Sequence, residues 1–166
     1  MSRPSRSVVV HAAVPSDLRA LQELHRALCE EERASGWGGD ADPDFGGSPT
    51  GRAYLEARIG GDGLALVAGD DDVTAGFLLA GVRSGPREAS AGLESMFVVP
   101  AYRRRGVGTA LLARFLAWHR STGLPFASLA VAPENHAAIA LYRSSGFRGT
   151  TLVMEHRPAF PQGARG

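Results

Sequence analysis

Residues 93–112, which read LESMFVVPAYRRRGVGTALL, decide the fold. Their apolar first part belongs to a run over 91–99 that predicts a β-strand, and Pro100 ends this run. From Gly106 onwards apolar residues recur at helical spacing, which predicts an amphipathic helix over 106–120. Arginines fill the space between the two elements. The stretch is therefore predicted to form a strand, a basic glycine-containing turn and a helix.

The turn has the composition of an anion-binding site. Gly106 and Gly108 let backbone N–H groups approach an anion closely, and the start of a helix carries a partial positive charge. Arg103, Arg104 and Arg105 add full positive charges. The turn lacks both the Gly-Lys-Ser/Thr of a P-loop and the third glycine of the Rossmann fingerprint. It therefore predicts a pyrophosphate cradle of another kind, with a solvated basic turn as the alternative.

Shorter elements surround this stretch. The predicted strands cover 7–14, 64–68, 73–82, 91–99, 126–132 and 147–156, and the predicted helices cover 18–33, 52–59, 106–120 and 135–145. The order β-α-α-β-β-β-α-β-α-β contains hairpins, which cannot be parallel crossovers, so we expect an α/β (α+β) fold with a mixed sheet. A doubly wound nucleotide-binding fold is excluded because it needs helices that alternate with every strand.

Length and composition limit the class of protein. The 166 residues correspond to about one domain, and we expect a disordered N-terminus over 1–6, one domain over 7–157 and a tail over 158–166. The net charge of +1 argues against a nucleic-acid-binding protein, and no apolar run reaches the ~18 residues that cross a membrane. Cys29, the single cysteine, cannot form an internal disulfide, which favours a cytoplasmic protein.

A second pattern lies near the C-terminus. Asn135 opens a predicted short helix, Tyr142 follows two turns later, and Gly146-Phe147 comes after the helix. Together with the Arg-x-x-Gly-x-Gly of the basic turn, this pattern resembles the GCN5-related N-acetyltransferase (GNAT) family, whose members transfer an acyl group from acyl-CoA to an amine. The resemblance is closest to the small-amine and diamine branch. It implies a mixed central sheet of six to seven strands with splayed central strands.

The resemblance implies acetyl-CoA as the cosubstrate and no metal. The strand before the turn should bond the pantetheine amides through the backbone of Met96, Phe97 and Val98. The turn should hold the diphosphate, and Asn135 should contact the cofactor arm. The residues implied at the turn are Arg103, Arg104, Arg105, Gly106, Val107, Gly108 and Thr109. The histidines have no metal-ligand spacing with one another or with Cys29, in keeping with a site that needs no metal.

Glu94 and Tyr142 are the candidate catalytic residues. Glu94 interrupts an apolar strand, and the stretch Leu-Glu-Ser-Met-Phe-Val is similar to diamine acetyltransferases, in which a glutamate here is proposed to deprotonate the amine. Partial burial would raise the pKa of Glu94 toward neutrality, which suits a base that acts directly or through water. The alternatives are a solvated carboxylate or one that only binds the substrate cation. The resemblance makes the Tyr142 hydroxyl the acid for the departing thiolate, and a core tyrosine is the alternative.

The acceptor site is expected near a long glycine-rich connection. Acidic residues surround this connection, which covers 36–47. Such a segment is usually a solvated face, but in the family it helps to form the acceptor site, where it could attract a cationic amine. The candidate substrate residues are Trp37, Asp40, Phe45 and Tyr54.

The resemblance therefore implies an N-acetyltransferase that acts on a small primary amine by direct attack in a ternary complex. The alternative acceptor is a protein N-terminus or a lysine. The alternative from another class is a non-catalytic acyl-CoA sensor. A homodimer is expected, and neither nucleic acid nor a membrane is expected as a partner.

Overall fold

The computed structural model describes residues 8–36, 42–70, 73–85 and 88–154. Within them, five strands form one sheet: β1 (Val9–Ala12), β2 (Leu64–Gly69), β3 (Thr74–Arg83), β4 (Ser90–Val98) and β5 (Ala127–Ser128). The same residues form four α-helices: α1 (Leu18–Ala34), α2 (Pro49–Gly60), α3 (Val107–Thr122) and α4 (His136–Ser144). Single 3-10 turns cover Pro15–Asp17, Phe45–Gly47 and Pro100–Tyr102.

The sheet is mixed and has the strand order β1-β2-β3-β4-β5. Neighbouring strands from β1 to β4 are antiparallel, and β5 is parallel to β4. The predicted α/β (α+β) class and the predicted order of elements as far as α4 are confirmed. None of the described helices is long and apolar enough to cross a membrane. The domain boundaries stay a prediction, because residues 1–7 and 155–166 lie outside the described part.

The end of the chain differs from the prediction. β5 covers two residues instead of 126–132, and 147–154 forms no strand, so the described part has five strands where six to seven were expected. A strand needs a neighbour that takes up its backbone hydrogen bonds, and β5 is too short to provide one. The apolar residues that suggested the last strand are therefore exposed, and Leu152, Val153 and Met154 are 72%, 79% and 84% exposed.

Two cores cover the two faces of the sheet. On one face α3 buries its apolar stripe, and this core includes Leu66, Leu78, Leu111 and Phe115. On the other face α1 and α2 cover a second core, which includes Leu21, Leu55, Phe77, Leu79 and Phe97. Each fully buried side chain of this size stabilises the fold by roughly 1.5–3 kcal/mol. The two cores hold β2, β3 and β4 in place, and so fix the strand that precedes the basic turn.

A β-bulge interrupts β4 at Glu94. Leu79 and Ala80 of β3 are paired with Ser95 and Leu93, so Glu94 is an extra residue without a partner in β3. Beyond the bulge, Phe97 faces the α1 and α2 core. The glutamate that the sequence marks as unusual is therefore also the point where the strand changes its pairing.

Candidate active site

The start of α3 presents a row of backbone amides. Gly106 precedes the helix with φ 82°, and Arg104 has φ 62° in the same left-handed region. No N–H group over 104–109 has a hydrogen-bond partner among the described residues, whereas the Ala110 N–H bonds to the Gly106 carbonyl at 2.9 Å. Six consecutive unpaired amides at the start of a 16-residue helix have the arrangement that favours binding of an anion.

The edge of β4 that faces β5 is open. The two strands pair at Ala91 with Ala127 and at Gly92 with Ser128, and no further pairs follow in the described part. The Val99 N–H donates to the Ala75 carbonyl of β3 at 2.9 Å. Because backbone groups alternate in direction along a strand, those of residues 96 and 98 point to the open edge and those of residue 97 point to β3. We call this unpaired edge of β4 beyond Gly92 the groove; it lies where the resemblance implied splayed central strands.

This alternation divides the three predicted pantetheine contacts. The backbone groups of Met96 and Val98 face the groove, but those of Phe97 are directed to β3. Phe97 instead buries its ring against α1 and α2. The structure therefore gives no support to a backbone contact from Phe97, because its amide and carbonyl already lie on the paired side of β4.

Arg103 turns away from the row of amides. Its Nε donates to the Val98 carbonyl at 2.8 Å, and its Nη2 donates to Glu31 Oε2 of α1 at 2.6 Å. Its guanidinium carbon lies 5.5 Å from the centre of the Phe97 ring. Arg104 and Arg105 are exposed and form no ion pair with any described residue. The Arg105 guanidinium lies 5.2 Å from the centre of the Tyr102 ring, so of the three predicted phosphate ligands Arg103 alone is held by an ion pair among the described residues.

The short helix α4 carries both residues of the second pattern. Asn135 caps it, because its Oδ1 accepts a hydrogen bond from the Ala138 N–H at 3.1 Å, and its side chain is exposed. Gly108 brings α3 close to this helix, since a Cβ at Gly108 would lie 3.2 Å from Leu141 Cδ2. The sequence predicted a cofactor contact for Asn135, and the structure adds a local role in starting α4.

Tyr142 is buried in the core on the α3 face. Its ring meets Phe147 edge-on at 6.0 Å, and burial raises the pKa of the Tyr142 hydroxyl to about 12. The hydroxyl has no hydrogen-bond partner among the described residues, yet no fully buried side-chain oxygen there lacks a partner. The Tyr142 hydroxyl must therefore reach solvent, and it stays protonated throughout the physiological pH range.

Glu94 faces the opposite side of the sheet, where three hydrogen bonds hold its carboxylate. Arg58 donates from Nε to Oε2 at 2.9 Å and from Nη2 to Oε1 at 2.8 Å. The Tyr54 hydroxyl donates to Oε2 at 2.6 Å. The two donors lie four residues apart on α2 and thus on one face of that helix. We call these three side chains, Tyr54, Arg58 and Glu94, the glutamate network.

The glutamate network corrects the predicted pKa of Glu94. Burial alone would raise this pKa, but the hydrogen bonds from Arg58 and Tyr54 and the charges of Arg58 and Arg83 hold it below its ordinary value. The expectation of a pKa near neutrality was wrong because it considered burial without the arginine partners. Glu94 is therefore a fixed carboxylate anion, and the pKa of Tyr54 is raised by its burial and by its bond to that anion.

Arg58 is the residue of the glutamate network that the sequence analysis missed. Its guanidinium crosses β3 at Gly81, where a Cβ would lie 2.9 Å from Glu94 Oε1 and 3.1 Å from Arg58 Nη2. Arg83 similarly lies over Gly92, and its Nη2 donates to the Leu93 carbonyl at 3.3 Å. The sequence signal that could have revealed these arginines is a pair of glycines, Gly81 and Gly92, in otherwise apolar strands. Each glycine leaves space for an arginine beside Glu94.

The predicted acceptor segment packs on α1 and α2. Gln22 donates to the Gly46 carbonyl at 2.8 Å, and Arg26 forms an ion pair with Asp44. The Phe45 ring lies 5.9 Å from the Tyr54 ring, so these two predicted substrate residues come together next to the glutamate network. The other two, Trp37 and Asp40, lie outside the described residues.

The acidic residues of this segment are mostly engaged with partners. Asp44 is paired with Arg26, Glu31 is paired with Arg103, and Asp42 Oδ1 accepts a hydrogen bond from the Asp44 N–H at 2.9 Å. No group of three or more His, Cys, Asp or Glu side chains in the described part could hold a metal ion. The described part of the segment is therefore held in place by contacts, and its carboxylates are engaged in them.

The sequence matches the family described as "Acetyltransferase (GNAT) family" over residues 21–147. Aminoglycoside N(6')-acetyltransferase type 1 of Salmonella enteritidis is 29% identical over 147 residues, which cover 85% of this chain and 97% of that protein. [Ribosomal protein bS18]-alanine N-acetyltransferase of Escherichia coli K12 is 38% identical over 68 residues, which cover 41% of this chain and 46% of that protein.

Solved structures have the same fold. An aminoglycoside N-acetyltransferase in complex with CoA superimposes with a TM-score of 0.72 at 22% identity, covering 95% of this chain and 98% of that chain. A GCN5-related N-acetyltransferase from Ralstonia eutropha gives a TM-score of 0.70 at 20% identity and covers 92% of this chain and 100% of that chain.

The fold, the amides at the start of α3 and the family match define an acyl-CoA-dependent N-acetyltransferase. The chain belongs to the GNAT family, as its two motifs predicted.

The unpaired amides lead to a test with a matched control. Gly106 and Gly123 flank α3, both have positive φ, and neither would bring a Cβ within 4 Å of another atom. Alanine at either position should lower the free energy of unfolding by about 1–2 kcal/mol, because both need the left-handed region. Gly106→Ala should also weaken acetyl-CoA binding about tenfold by reorienting the first amides, and Gly123→Ala should not. Isothermal titration calorimetry measures the difference, and equal affinities in the two variants would contradict a cradle at Gly106.

Proposed function

We propose that the protein transfers the acetyl group of acetyl-CoA to a primary amine of a small molecule by direct attack in a ternary complex. The observation that carries this proposal is the row of six unpaired amides at the start of α3 beside the open edge of β4. A diphosphate is the natural ligand of such a helix start, and an extended amide chain suits an unpaired strand edge. Acetyl-CoA contains both parts.

The cosubstrate would lie along two elements. The amides of residues 104–109 would bind its diphosphate, with Arg104 and Arg105 as the adjacent charges. Met96 would bond the pantetheine arm through the backbone groups that face the groove, and Val98 would contact the thioester end of the cosubstrate through its N–H. Asn135 has its Oδ1 occupied by the cap of α4, so its amide nitrogen is the group left for the cofactor arm.

Acetyl-CoA supplies a thioester whose carbonyl carbon is open to attack by a neutral amine. The Val98 N–H points to the groove and would stabilise the negative charge that develops on the carbonyl oxygen. The Tyr142 hydroxyl keeps its proton, since its pKa is raised to about 12 by burial, and it is free of partners among the described residues. Tyr142 would therefore donate a proton to the departing sulfur.

Glu94 has a different role from the one first expected. A carboxylate with a lowered pKa has little affinity for a proton, so it is a poor direct base for an alkylammonium ion. We assign it to binding the acceptor amine, with loss of the amine proton to water. Its anion is held by Arg58 and Tyr54, which support a fixed orientation toward the acceptor.

The acceptor is assigned to small molecules because an aminoglycoside acetyltransferase matches 85% of this chain. Phe45 and Tyr54 would form an apolar wall of the acceptor site. Trp37 and Asp40, the other two candidate substrate residues, lie outside the described residues and stay predictions. A protein N-terminus is the second candidate, because a ribosomal-protein alanine acetyltransferase matches 41% of the chain.

We further propose that the protein is cytoplasmic and forms a homodimer. Cys29 is a free, buried cysteine, in keeping with a reducing compartment. Leu152, Val153 and Met154 are apolar and exposed. Their exposure supports a dimer in which a second copy of the chain buries these side chains. Light scattering after size-exclusion chromatography measures the oligomeric state.

The proposed reaction is tested by measuring thiol release from acetyl-CoA. The acceptors are an aminoglycoside, an aliphatic diamine, a peptide with N-terminal alanine and a peptide with an internal lysine. We expect turnover with at least one small amine at a kcat/KM well above that of either peptide. Turnover with peptides alone would favour the protein acceptor. Acetyl-CoA binding without release by any amine would favour the sensor, and no binding would overturn the proposal.

Tyr142→Phe should lower kcat about 10²-fold, the lower end of general acid effects, and leave the Kd for acetyl-CoA unchanged, because the hydroxyl acts when the sulfur departs. Tyr102→Phe is the control, since it removes a half-buried hydroxyl that lies 3.4 Å from Asp70 Oδ2. Stopped-flow acetyl transfer and calorimetry give the two quantities. An unchanged kcat in Tyr142→Phe would return Tyr142 to a structural role.

The pH profile separates the two roles of Glu94. Hydrogen bonds from Arg58 and Tyr54 hold the pKa of Glu94 below its ordinary value, so Glu94 is already ionised at neutral pH and cannot cause a loss of activity between pH 6 and 8. The acidic limb of kcat/KM should instead follow the pKa of each acceptor amine. Glu94→Gln should lower kcat/KM about tenfold or more, through the lost charge–amine bond, and should keep that limb. A limb that disappears in Glu94→Gln would identify Glu94 as the base.

A further inference from the structure

We propose that Arg103 is a positioning residue, which holds the end of β4 to α1, and that it is not a ligand of the cosubstrate diphosphate. The proposal rests on the proposed function, since it concerns how the acetyl group is presented to the acceptor. It assigns to the first arginine of the basic turn a role opposite to the one that its sequence position suggests.

Three contacts hold the Arg103 side chain. Nε donates to the Val98 carbonyl at 2.8 Å, Nη2 donates to Glu31 Oε2 at 2.6 Å, and the guanidinium lies over the Phe97 ring at 5.5 Å. Phe97 belongs to the core under α1 and α2. The guanidinium therefore lies on the α1 side of the sheet, whereas the unpaired amides belong to α3, which packs on the other face.

The Val98 carbonyl is a functional position for such a contact. Val98 ends β4, and its backbone groups point to the open edge because those of Val99 bond to β3. An unpaired carbonyl there would compete for the amides of the pantetheine arm. The bond from Arg103 satisfies this carbonyl and leaves the Val98 N–H as the group that faces the thioester.

Glu31 connects this strand end to the acceptor side. It lies on α1, the helix that also holds the acceptor segment through Gln22 and Arg26. Arg103 therefore joins the helix that braces the acceptor segment to the strand that presents the thioester. Its contacts set the distance between the two reacting groups, and errors of about 1 Å in such a distance can cost 10²-fold in rate.

The neighbouring arginine provides the contrast. Arg104 is exposed and has no ion pair with any described residue, so its charge is available to a phosphate. Arg103→Ala should lower kcat about tenfold or more and change the Kd for acetyl-CoA less than twofold. Arg104→Ala should instead raise the Kd for acetyl-CoA several-fold. Calorimetry gives Kd, and initial rates give kcat and the acceptor KM.

The variant Glu31→Ala distinguishes the two roles of Arg103 by its effect on the Kd for acetyl-CoA and on kcat. If Arg103 were a phosphate ligand, Glu31→Ala would release it and tighten acetyl-CoA binding. If Arg103 is a positioning residue, Glu31→Ala should lower kcat and leave that Kd unchanged. Glu23→Ala is the matched control, since Glu23 lies on the same helix in an exposed ion pair with Arg19 and far from the strand end in sequence. It should leave both quantities unchanged.

A double variant tests whether the two residues act as one unit. Glu31→Ala combined with Arg103→Ala should reduce kcat no further than Arg103→Ala alone. Arg103→Lys keeps the charge but lacks the fork that spans two acceptors, so it should restore less than half of the lost kcat. Thermal unfolding identifies any variant that has lost its fold. Glu31 is half exposed, so Glu31→Ala decides the question if Arg103 variants are unstable.

The outcomes separate this inference from the function on which it rests. Absence of thiol release by the unmodified protein with every amine would overturn the proposed function. Normal turnover in that protein, together with a weakened Kd and an intact kcat in Arg103→Ala, would overturn the positioning role alone. Tighter acetyl-CoA binding in Glu31→Ala would also overturn it.

Discussion

The separation of β4 from β5 after Gly92 is the constraint on which the candidate site depends. A strand edge and a helix start both leave backbone groups without partners, and a folded chain tolerates such groups only where solvent or a ligand reaches them. Here both occur next to each other, at the Met96 backbone and the Val98 N–H on the open edge and at the N–H groups of residues 104–109. The two cores keep β4 in register with β3 on its other edge, so the opening persists without loss of the sheet.

The electrostatics of the acceptor side depend on pairing more than on composition. Several carboxylates lie on this side of the sheet, but Asp44 of the acceptor segment, Glu31 of α1 and Glu94 of β4 each have an arginine partner. Glu94 is the most buried of these anions, and two donors from α2 stabilise its charged form. A buried carboxylate with such partners is an anchor of fixed charge, whereas the same residue without them would be a candidate base.

The basic turn divides its arginines between structure and binding. Arg103 makes protein contacts on the α1 side, and Arg104 and Arg105 remain without ion pairs in the described part. The row of amides does not need the Arg103 charge, because the helix start supplies a field that comes from the backbone itself. The three arginines of this motif therefore have different physical roles although they are the same residue type. The direction in which each side chain points distinguishes these roles.

The sequence alone determined the family, the class of fold and the strand–turn–helix unit, because these follow from local periodicity, glycine placement and two spaced motifs. It also singled out Glu94, which interrupts an apolar strand, and Tyr142, which follows Asn135 at the spacing of the second motif. Only the tertiary structure decided the surroundings of Glu94, because Arg58 lies 36 residues away in the chain and approaches through the space left by Gly81. It also decided the direction of Arg103 and the length of β5. Such contacts join distant segments, and neither periodicity nor composition contains their geometry.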